Sequence, residues 1–388
     1  MYNARFFVVM MLSLAVLGGL TYFLYRRLVG DVTKSTRLRR AGAGLLIAMV
    51  ALSLGARVIA LILPGSGSRI FIMGLLGWMG FLLYATLLLI LFEPIRWWDR
   101  RQDKKAGVEN PARRELFAKI AAGSAVAGGV GLSAYGVYSA YTPPEITEVA
   151  VKLPNLPKAL DGFTLVQLSD VHVGALIQQR FMADLVERVN AQKPDLVCIT
   201  GDLVDGSVEH ISRYVAEVQK LSSRYGTHFV TGNHDYYAGA EEWCDALSKM
   251  GLVVLRNRGV QIGDKDASFD LFGIDDPMGS TNGSNFEELN AALKGRDESR
   301  ASVLMAHRPS DFSLALKKGI GLQLSGHTHG GQLFPGTLIS DLIWGKRSHG
   351  YSKDGQSQLY VSRGCGFVGP PMRVGSAPEL VKVILTSA

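Results

Sequence analysis

Residues 194–206 read Pro194-Asp195-Leu196-Val197-Cys198-Ile199-Thr200-Gly201-Asp202-Leu203-Val204-Asp205-Gly206. A short apolar run stops at a glycine followed by a carboxylate. A buried strand of a parallel sheet has this form, apolar on both faces and too short for a helix. The form recurs on either side. Phe163–Leu168 stops at Ser169-Asp170-Val171-His172, and Thr227–Thr231 at Gly232-Asn233-His234-Asp235. Ser302–Ala306 stops at His307, and Gly321–Ser325 at Gly326-His327-Thr328-His329. Helical patterns lie between, at about Gln178–Ala191, Val208–Ser222, Gly239–Met250, Asn285–Leu293 and Ser310–Lys318. Strands separated by helices predict an α/β fold with covered sheets. Ile146–Leu153, among Pro143, Pro144, Pro154 and Pro157, reads as an edge strand after a linker, and further strands at Val253–Arg256, Ser268–Ile274, Gln358–Ser362 and Glu379–Leu385, some with no helix between them, predict a second, mixed sheet.

In all five motifs the polar groups follow the C-terminal end of a strand, where α/β folds gather their ligand sites. Five of the eight histidines stand there (His172, His234, His307, His327, His329), whereas His210, His228 and His349 are isolated and read as ordinary. Asp-X-His and His-X-His put side chains i and i+2 on one side of an extended segment, so both reach a common centre. Mixed carboxylate and imidazole donors suit Mn, Fe or Zn better than Ca or Mg. The candidate set is Asp170, His172, Asp202, Asn233, His234, Asp235, His307, His327 and His329, with seven plausible ligands among them. It is too large for one tetrahedral ion and sufficient for two divalent ions sharing a carboxylate. Taken singly, each motif is also what a helix cap or a turn uses; five in succession, each at a strand end, are not.

The first 141 residues are of another kind. The whole chain is 47% hydrophobic and only 19% charged, below the roughly 25% charge of a soluble domain. The difference lies in four apolar stretches, Phe6–Tyr25, Ala41–Leu63, Ile70–Phe92 and Phe117–Ala140. Each is long enough to cross ~30 Å of hydrocarbon, which predicts a four-helix transmembrane region, residues 1–141, ahead of an α/β domain, residues 142–388. Arg57, inside the second stretch, reads as snorkelling toward the end at Pro64. Segment 26–40 holds Arg26, Arg27, Lys34, Arg37, Arg39 and Arg40 against Asp31 alone, and segment 94–116 is similarly basic. Lys/Arg-rich loops stay cytoplasmic. Both basic loops are therefore placed inside, and everything after residue 141 outside a multi-pass inner (plasma) membrane protein. The formal charge of +7 does not mark a nucleic-acid binder, because residues 142–388 carry 24 Lys and Arg against 28 Asp and Glu. The basic excess belongs to membrane topology. Cys198 reads as core, and a Cys244–Cys365 disulfide is open to a domain outside the cytoplasm.

The ordered signature Asp-X-His, Gly-Asp-X-X-Asp (Gly201–Asp205), Gly-Asn-His-Asp, a lone His, then Gly-His-X-His resembles that of the calcineurin-like metallophosphoesterase superfamily. With Gly330-Gly331-Gln332, the tail Ser362-Arg363-Gly364-Cys365-Gly366-Phe367-Val368-Gly369-Pro370-Pro371-Met372-Arg373 is similar to a bacterial branch of membrane-bound or exported phosphohydrolases. The resemblance implies a four-layer αββα sandwich. It implies that Asp170, His172, Asp202 and His329 hold one metal, and that Asp202 bridges to a second held by Asn233, His307 and His327. His234 is then the acid near the leaving oxygen, oriented by Asp235, with Asp205 supporting the site through hydrogen bonds. The implied reaction is metal-dependent hydrolysis of phosphate esters or pyrophosphates by a hydroxide bridging two metals, on a phosphorylated small molecule or, given the anchor and its membrane lipids, a lipid-linked phosphate.

Three weaker features complete the reading. Arg308, after His307, is read either as a phosphate clamp or as a solvated charge. The segment Asp341–Tyr351, with Trp344, Lys346, Arg347 and His349, is read as a substrate-contacting loop. Arg113-Arg114-Glu115-Leu116-Phe117-Ala118-Lys119 resembles a twin-arginine export signal, although a plain basic flank reads the same way. The rival function is a non-catalytic scaffold or sensor on the same fold, in which ligands or the acid histidine are normally lost; here all are present.

Overall fold

The structure, a computed structural model, describes residues 2–55, 66–107, 110–280 and 285–388. Its packing divides the chain into one unit of Met1–Val137 with Gly369–Met372 and another of Tyr138–Val368 with Arg373–Ala388.

The first unit is helical. Its helices are α1 (Tyr2–Tyr25), α2 (Thr36–Leu54), α3 (Ser66–Ala106) and α4 (Pro111–Tyr141). The expectation of four spans is corrected here. Among the described residues two helices are long and apolar enough to cross a membrane, Arg69–Ala106 and Pro111–Tyr141. The described part of α2 opens with Arg37, Arg39 and Arg40, which leaves too few apolar residues before Leu54 to span. The rest of that stretch, 56–63 with Arg57, lies outside the described residues, as do the first side chains of α1. At the polar end of the helices Asp31 binds Arg27 at 2.8 Å and Arg96 at 2.6 Å. Arg113 and Arg114, the pair in the export-like motif, are both held by Asp103.

The second unit is α/β, with two six-stranded mixed sheets. The first sheet contains β1 (Glu145–Leu153), β2 (Phe163–Leu168), β3 (Leu196–Thr200), β4 (Thr227–Val230), β5 (Val253–Val254) and β12 (Glu379–Ser387), in the order β1-β12-β2-β3-β4-β5. The second contains β6 (Arg258–Asp264), β7 (Ala267–Gly273), β8 (Ser302–Met305), β9 (Leu322–Ser325), β10 (Gly350–Asp354) and β11 (Ser357–Val361), in the order β10-β11-β9-β8-β7-β6. Strands β2 to β5 run parallel, as do β7, β8, β9 and β11. The antiparallel strands β6 and β10 close the second sheet through hairpins.

Alternation explains the layering. Leu165, Leu196, Cys198, Phe269, Leu271, Val303, Met305, Leu322 and Leu324 form one buried cluster from inward residues of both sheets. The alternate residues Phe272, Leu304, Leu359 and Val361 pack instead with Leu289, Phe312 and Ala315, from α9 (Phe286–Ala292) and α10 (Phe312–Lys317). The remaining helices are α5 (Gln179–Ala191), α6 (Val208–Val215), α7 (Asn233–Ala238), α8 (Ala240–Lys249) and α11 (Gly336–Trp344). All three cysteines are free and buried; the Cys244–Cys365 disulfide is absent. The frame brings the ends of β2, β3 and β4 in one sheet and of β8 and β9 in the other to one place, and the five motifs begin there.

Candidate metal centre

Beyond the ends of β2, β3 and β9 the backbone leaves the extended region within two residues. Asp170, His172, Asp202, His327 and His329 all have positive φ, between 51° and 72°. For a residue with a side chain this backbone is strained by about 1–3 kcal/mol, and such strain collects where a site demands a particular aim. Two glycines make room for the result. A Cβ on Gly232 would stand 2.2 Å from Asp202 Oδ1, and one on Gly326 would stand 2.1 Å from Asp170 Oδ2. The glycine in each motif is there so that a second strand end can approach a carboxylate.

The donors fall into two groups joined at Asp202. In the first, Asp170, His172 and His329 offer atoms all within 4.8 Å of one another. His172 Nε2 lies 3.1 Å from His329 Nε2, and His329 Nε2 lies 3.5 Å from Asp170 Oδ1. In the second, Asp202, His307 and His327 converge equally closely, with His307 Nε2 3.2 Å from Asp202 Oδ2. Asp202 also lies 3.9 Å from His172, which links the groups. His307 Nδ1 donates to the Thr200 carbonyl at 2.9 Å. That bond holds one ring proton on Nδ1, so in the neutral ring, once the proton facing Asp202 is gone, Nε2 is the lone-pair nitrogen. Asn233 Oδ1 is buried without a hydrogen-bond partner, and His307 Nε2 has only the Asp202 carboxylate. Buried acceptors converging on carboxylates are what a cation would satisfy.

Charge leads to the same fit. Burial opposes the imidazolium of His172, but the carboxylates of Asp205, Asp202 and Asp170 outweigh it and raise its pKa to about 9. His307 rises to about 10 against burial, chiefly through Asp202. Burial and the cations at His307 and Arg308 push His327 down to about 3, and burial with His172 and Arg373 takes His329 well below its ordinary value. Protons on His172 and His307 thus balance the carboxylates. Divalent ions in their place would release them, so affinity would rise with pH. The donors fit cation binding: Asp170, His172 and His329 converge in one group and Asp202, His307 and His327 in another.

His234 adjoins the first group: with His172 and Asp205 it forms a third cluster whose donor atoms lie within 4.8 Å of one another, its ring centroid 4.6 Å from that of His172. Its backbone N–H donates to Asp202 Oδ1 at 2.7 Å, and its Nδ1 lies 2.6 Å from Asp205 Oδ1. The carboxylate on the His234 ring is therefore Asp205, not Asp235 as the sequence reading had it. Asp235 is fully buried and accepts four backbone N–H groups, from Asp202, Leu203, Val204 and Gly232. It ties the turn after β3 to the turn after β4. Asp205 also lies 3.3 Å from His172 Nδ1. Arg308 is not a solvated charge: its guanidinium makes a two-point pair with Asp276 at 2.7 and 2.9 Å. Trp344 meets His327 edge-on, with centroids 6.2 Å apart.

One neighbour went unassigned in the sequence. Arg373 is fully buried and donates to the carbonyls of Arg363, Gly364, Gly366 and Ser376, with Nη2 3.2 Å from His329 Nδ1. It binds the tail loop around the His329 ring. A cation at the end of Pro-Pro-Met-Arg, far along the chain from every donor, carries no spacing signal of such proximity.

Residues 163–331 match the family model described as calcineurin-like phosphoesterase. A Helicobacter pylori protein described as an uncharacterized metallophosphoesterase is 36% identical over 246 residues, 63% of this chain and 65% of that one. A Danio rerio transmembrane protein with metallophosphoesterase domain is 35% identical over 266 residues, 66% of this chain and 61% of its own. The chain thus spans less than two thirds of the length of these relatives. A Bacillus subtilis protein, also described as an uncharacterized metallophosphoesterase, is 30% identical over 282 residues, 70% of this chain and 95% of that protein. Similarity sustained along nearly the whole of one relative, with a family match that takes in all five strand-end motifs, makes the chain a member of the calcineurin-like metallophosphoesterase family.

Proposed function

We propose that residues 142–388 form an αββα phosphohydrolase domain with a two-metal centre, and that residues 1–141 anchor it in the inner (plasma) membrane. The observation that carries the reading is the convergence of two donor groups on one carboxylate, Asp202. Two divalent ions held there supply Lewis acidity toward a phosphoryl oxygen and lower the pKa of water. The chain's own residues do the rest. Asp205 holds the His234 ring by Nδ1, so Nε2 is the nitrogen left to serve the substrate. In hydrolysis, the water oxygen forms the new bond to phosphorus and the bond to the leaving oxygen breaks. The leaving oxygen takes a proton from His234 Nε2, worth typically 10²–10⁴-fold; the proton the water gives up passes to solvent, and solvent reprotonates His234. Asn233 contributes a donor without charge, which keeps the centre attractive to a phosphate anion.

The topology follows from charge. The adjoining ends of the two long apolar helices carry Arg100, Arg101, Lys104, Lys105, Arg113 and Arg114, and a membrane flank so basic is cytoplasmic. With that flank inside, the second of the two spans carries the chain outward and puts residues after 141 on the outer face. The anchor favours a phosphate ester or pyrophosphate borne on a lipid.

The test is turnover of bis(p-nitrophenyl) phosphate and p-nitrophenyl phosphate by the full-length protein in detergent, first stripped of metal, then supplied with Mn, Zn or Fe. Metal-dependent turnover that disappears in Asp202→Asn and His234→Ala is the expected result. Bound metal with no turnover on either ester would favour the scaffold reading.

A further inference from the structure

Helix α11, Gly336-Thr337-Leu338-Ile339-Ser340-Asp341-Leu342-Ile343-Trp344, has its polarity inverted. Leu342 is 85% exposed, Ile343 67%, Leu338 58% and Ile339 54%, while Ser340 is buried and bonded to Ser348 at 2.9 Å. Phe334, just before the helix, is exposed as well. A helix on a water-facing surface buries its aliphatic residues and shows its serine. A contiguous exposed apolar patch of this kind marks a contact surface. Its position is specific. The helix starts seven residues after His329, and its last residue, Trp344, lies edge-on to His327, so the apolar face leads to the rim of the metal centre. Lys346 and Arg347 follow at once, and Asp341, the one carboxylate on the helix, lies 3.8 Å from His349.

Aliphatic face, tryptophan and adjacent cations are the composition of a helix lying in a lipid interface. Two further observations select a bilayer as the occupant. The same chain carries two helices long and apolar enough to cross a membrane. Only Thr142, Pro143 and Pro144 separate Tyr141, the end of one of them, from β1, about 10–14 Å of extended chain. The cations complement the phosphate-bearing head groups of that surface. We infer that α11 is an interfacial helix that beds in the lipid head-group layer and admits a phosphorylated lipid, head group first, to the His327 side of the centre. The substrate class thus rests on the hydrolase reading; the bilayer contact does not.

The experiment uses the full-length protein in nanodiscs of phosphatidylcholine and phosphatidylglycerol. Because Cys198, Cys244 and Cys365 are buried, Leu342→Cys takes an environment-sensitive fluorophore selectively, and Glu298→Cys, an exposed position on the loop before β8, gives the comparison. Spin-labelled lipid is expected to quench the label at 342 and not the one at 298; equal quenching overturns the bilayer contact, whatever the enzyme does. In the same discs, Leu342→Ser with Ile343→Ser is expected to lower kcat/KM on dioleoyl phosphatidic acid about tenfold with bis(p-nitrophenyl) phosphate turnover unchanged. Equal effects on both substrates, or none on the lipid, overturn the delivery role. A wild type inert toward both substrates counts against the hydrolase reading and, with it, the substrate class, and leaves the quenching result to decide the contact.

Discussion

Asparagine in place of Asp235 keeps the side chain's shape and removes one acceptor. Oδ2 takes the N–H groups of Asp202 at 2.9 Å and Gly232 at 2.7 Å, and Oδ1 those of Leu203 at 3.0 Å and Val204 at 3.1 Å. An amide offers one oxygen and an NH₂ that cannot accept, so two of these donors lose their partner where no water reaches. An orphaned buried N–H costs about 1–3 kcal/mol, which makes about 2–6 kcal/mol for two. Burial and the charge of Asp202 raise the Asp235 pKa to about 7. A neutral amide recovers part of that desolvation, and the net loss falls in the lower half of the range, about 2–3 kcal/mol. For a domain of this size each kcal/mol shifts the unfolding midpoint by about 2–4 °C, giving roughly 4–12 °C in all. Differential scanning fluorimetry on the full-length protein measures the shift. Elemental analysis of the same sample should show less bound metal, because the two turns that Asp235 joins carry Asp202 and Asn233. A variant with an unchanged midpoint and full metal content that has lost only turnover would refute the scaffold role and return Asp235 to His234.

The remaining predictions concern the site and one strand. His234→Ala should keep its metal and lose about 10²–10⁴ in kcat; metal loss would make His234 a ligand. Asp205→Asn should lose less, and the double variant should be no slower than His234→Ala, as groups acting through one another behave in a kinetic cycle. Gly232→Ala sets a Cβ 2.5 Å from the Asp202 backbone nitrogen as well as against its carboxylate, and should lower metal content in elemental analysis far more than an alanine at the open Gly226. His228, buried in β4, is held neutral by burial and by Arg258, with its pKa lowered to about 4. The unfolded chain binds that proton near pH 6.5, so the stability associated with a neutral His228 is complete above pH 6.5 and is lost as pH falls toward 4. The loss is on the order of 3 kcal/mol. Unfolding midpoints of His228→Gln should be flatter than those of the wild type across that window.

Local pattern and tertiary context divide cleanly in the fold. The five motif strands lie within a residue or so of their sequence limits, because a doubly buried strand needs only an apolar run and a glycine. Strand β10 was not legible. Its residues are mostly exposed, and it is a strand because it pairs with β11. The helix expected to run from Val208 to Ser222 ends at Val215 and continues as a 3₁₀ segment, Ala216–Lys220. The segment 341–351, read as a loop, begins inside α11; an apolar helix with no buried aliphatic face leaves no amphipathic period to find.

The amino-acid sequence by itself determined which donors exist, in what order, and at which end of which strands. These are consequences of local polarity, and parallel strands bring their C-terminal ends together without further instruction. Which carboxylate serves which histidine was decided only in three dimensions. Asp205 and Asp235 stand on turns that follow different strands. The one nearer His234 in sequence turns back to bind backbone N–H groups, which it can do because that turn packs against the turn after β3. The placing of Arg373 beside His329, and the outward face of α11, were likewise decided by packing: a buried guanidinium and an exposed leucine differ by their neighbours, and a linear sequence does not contain neighbours across the fold.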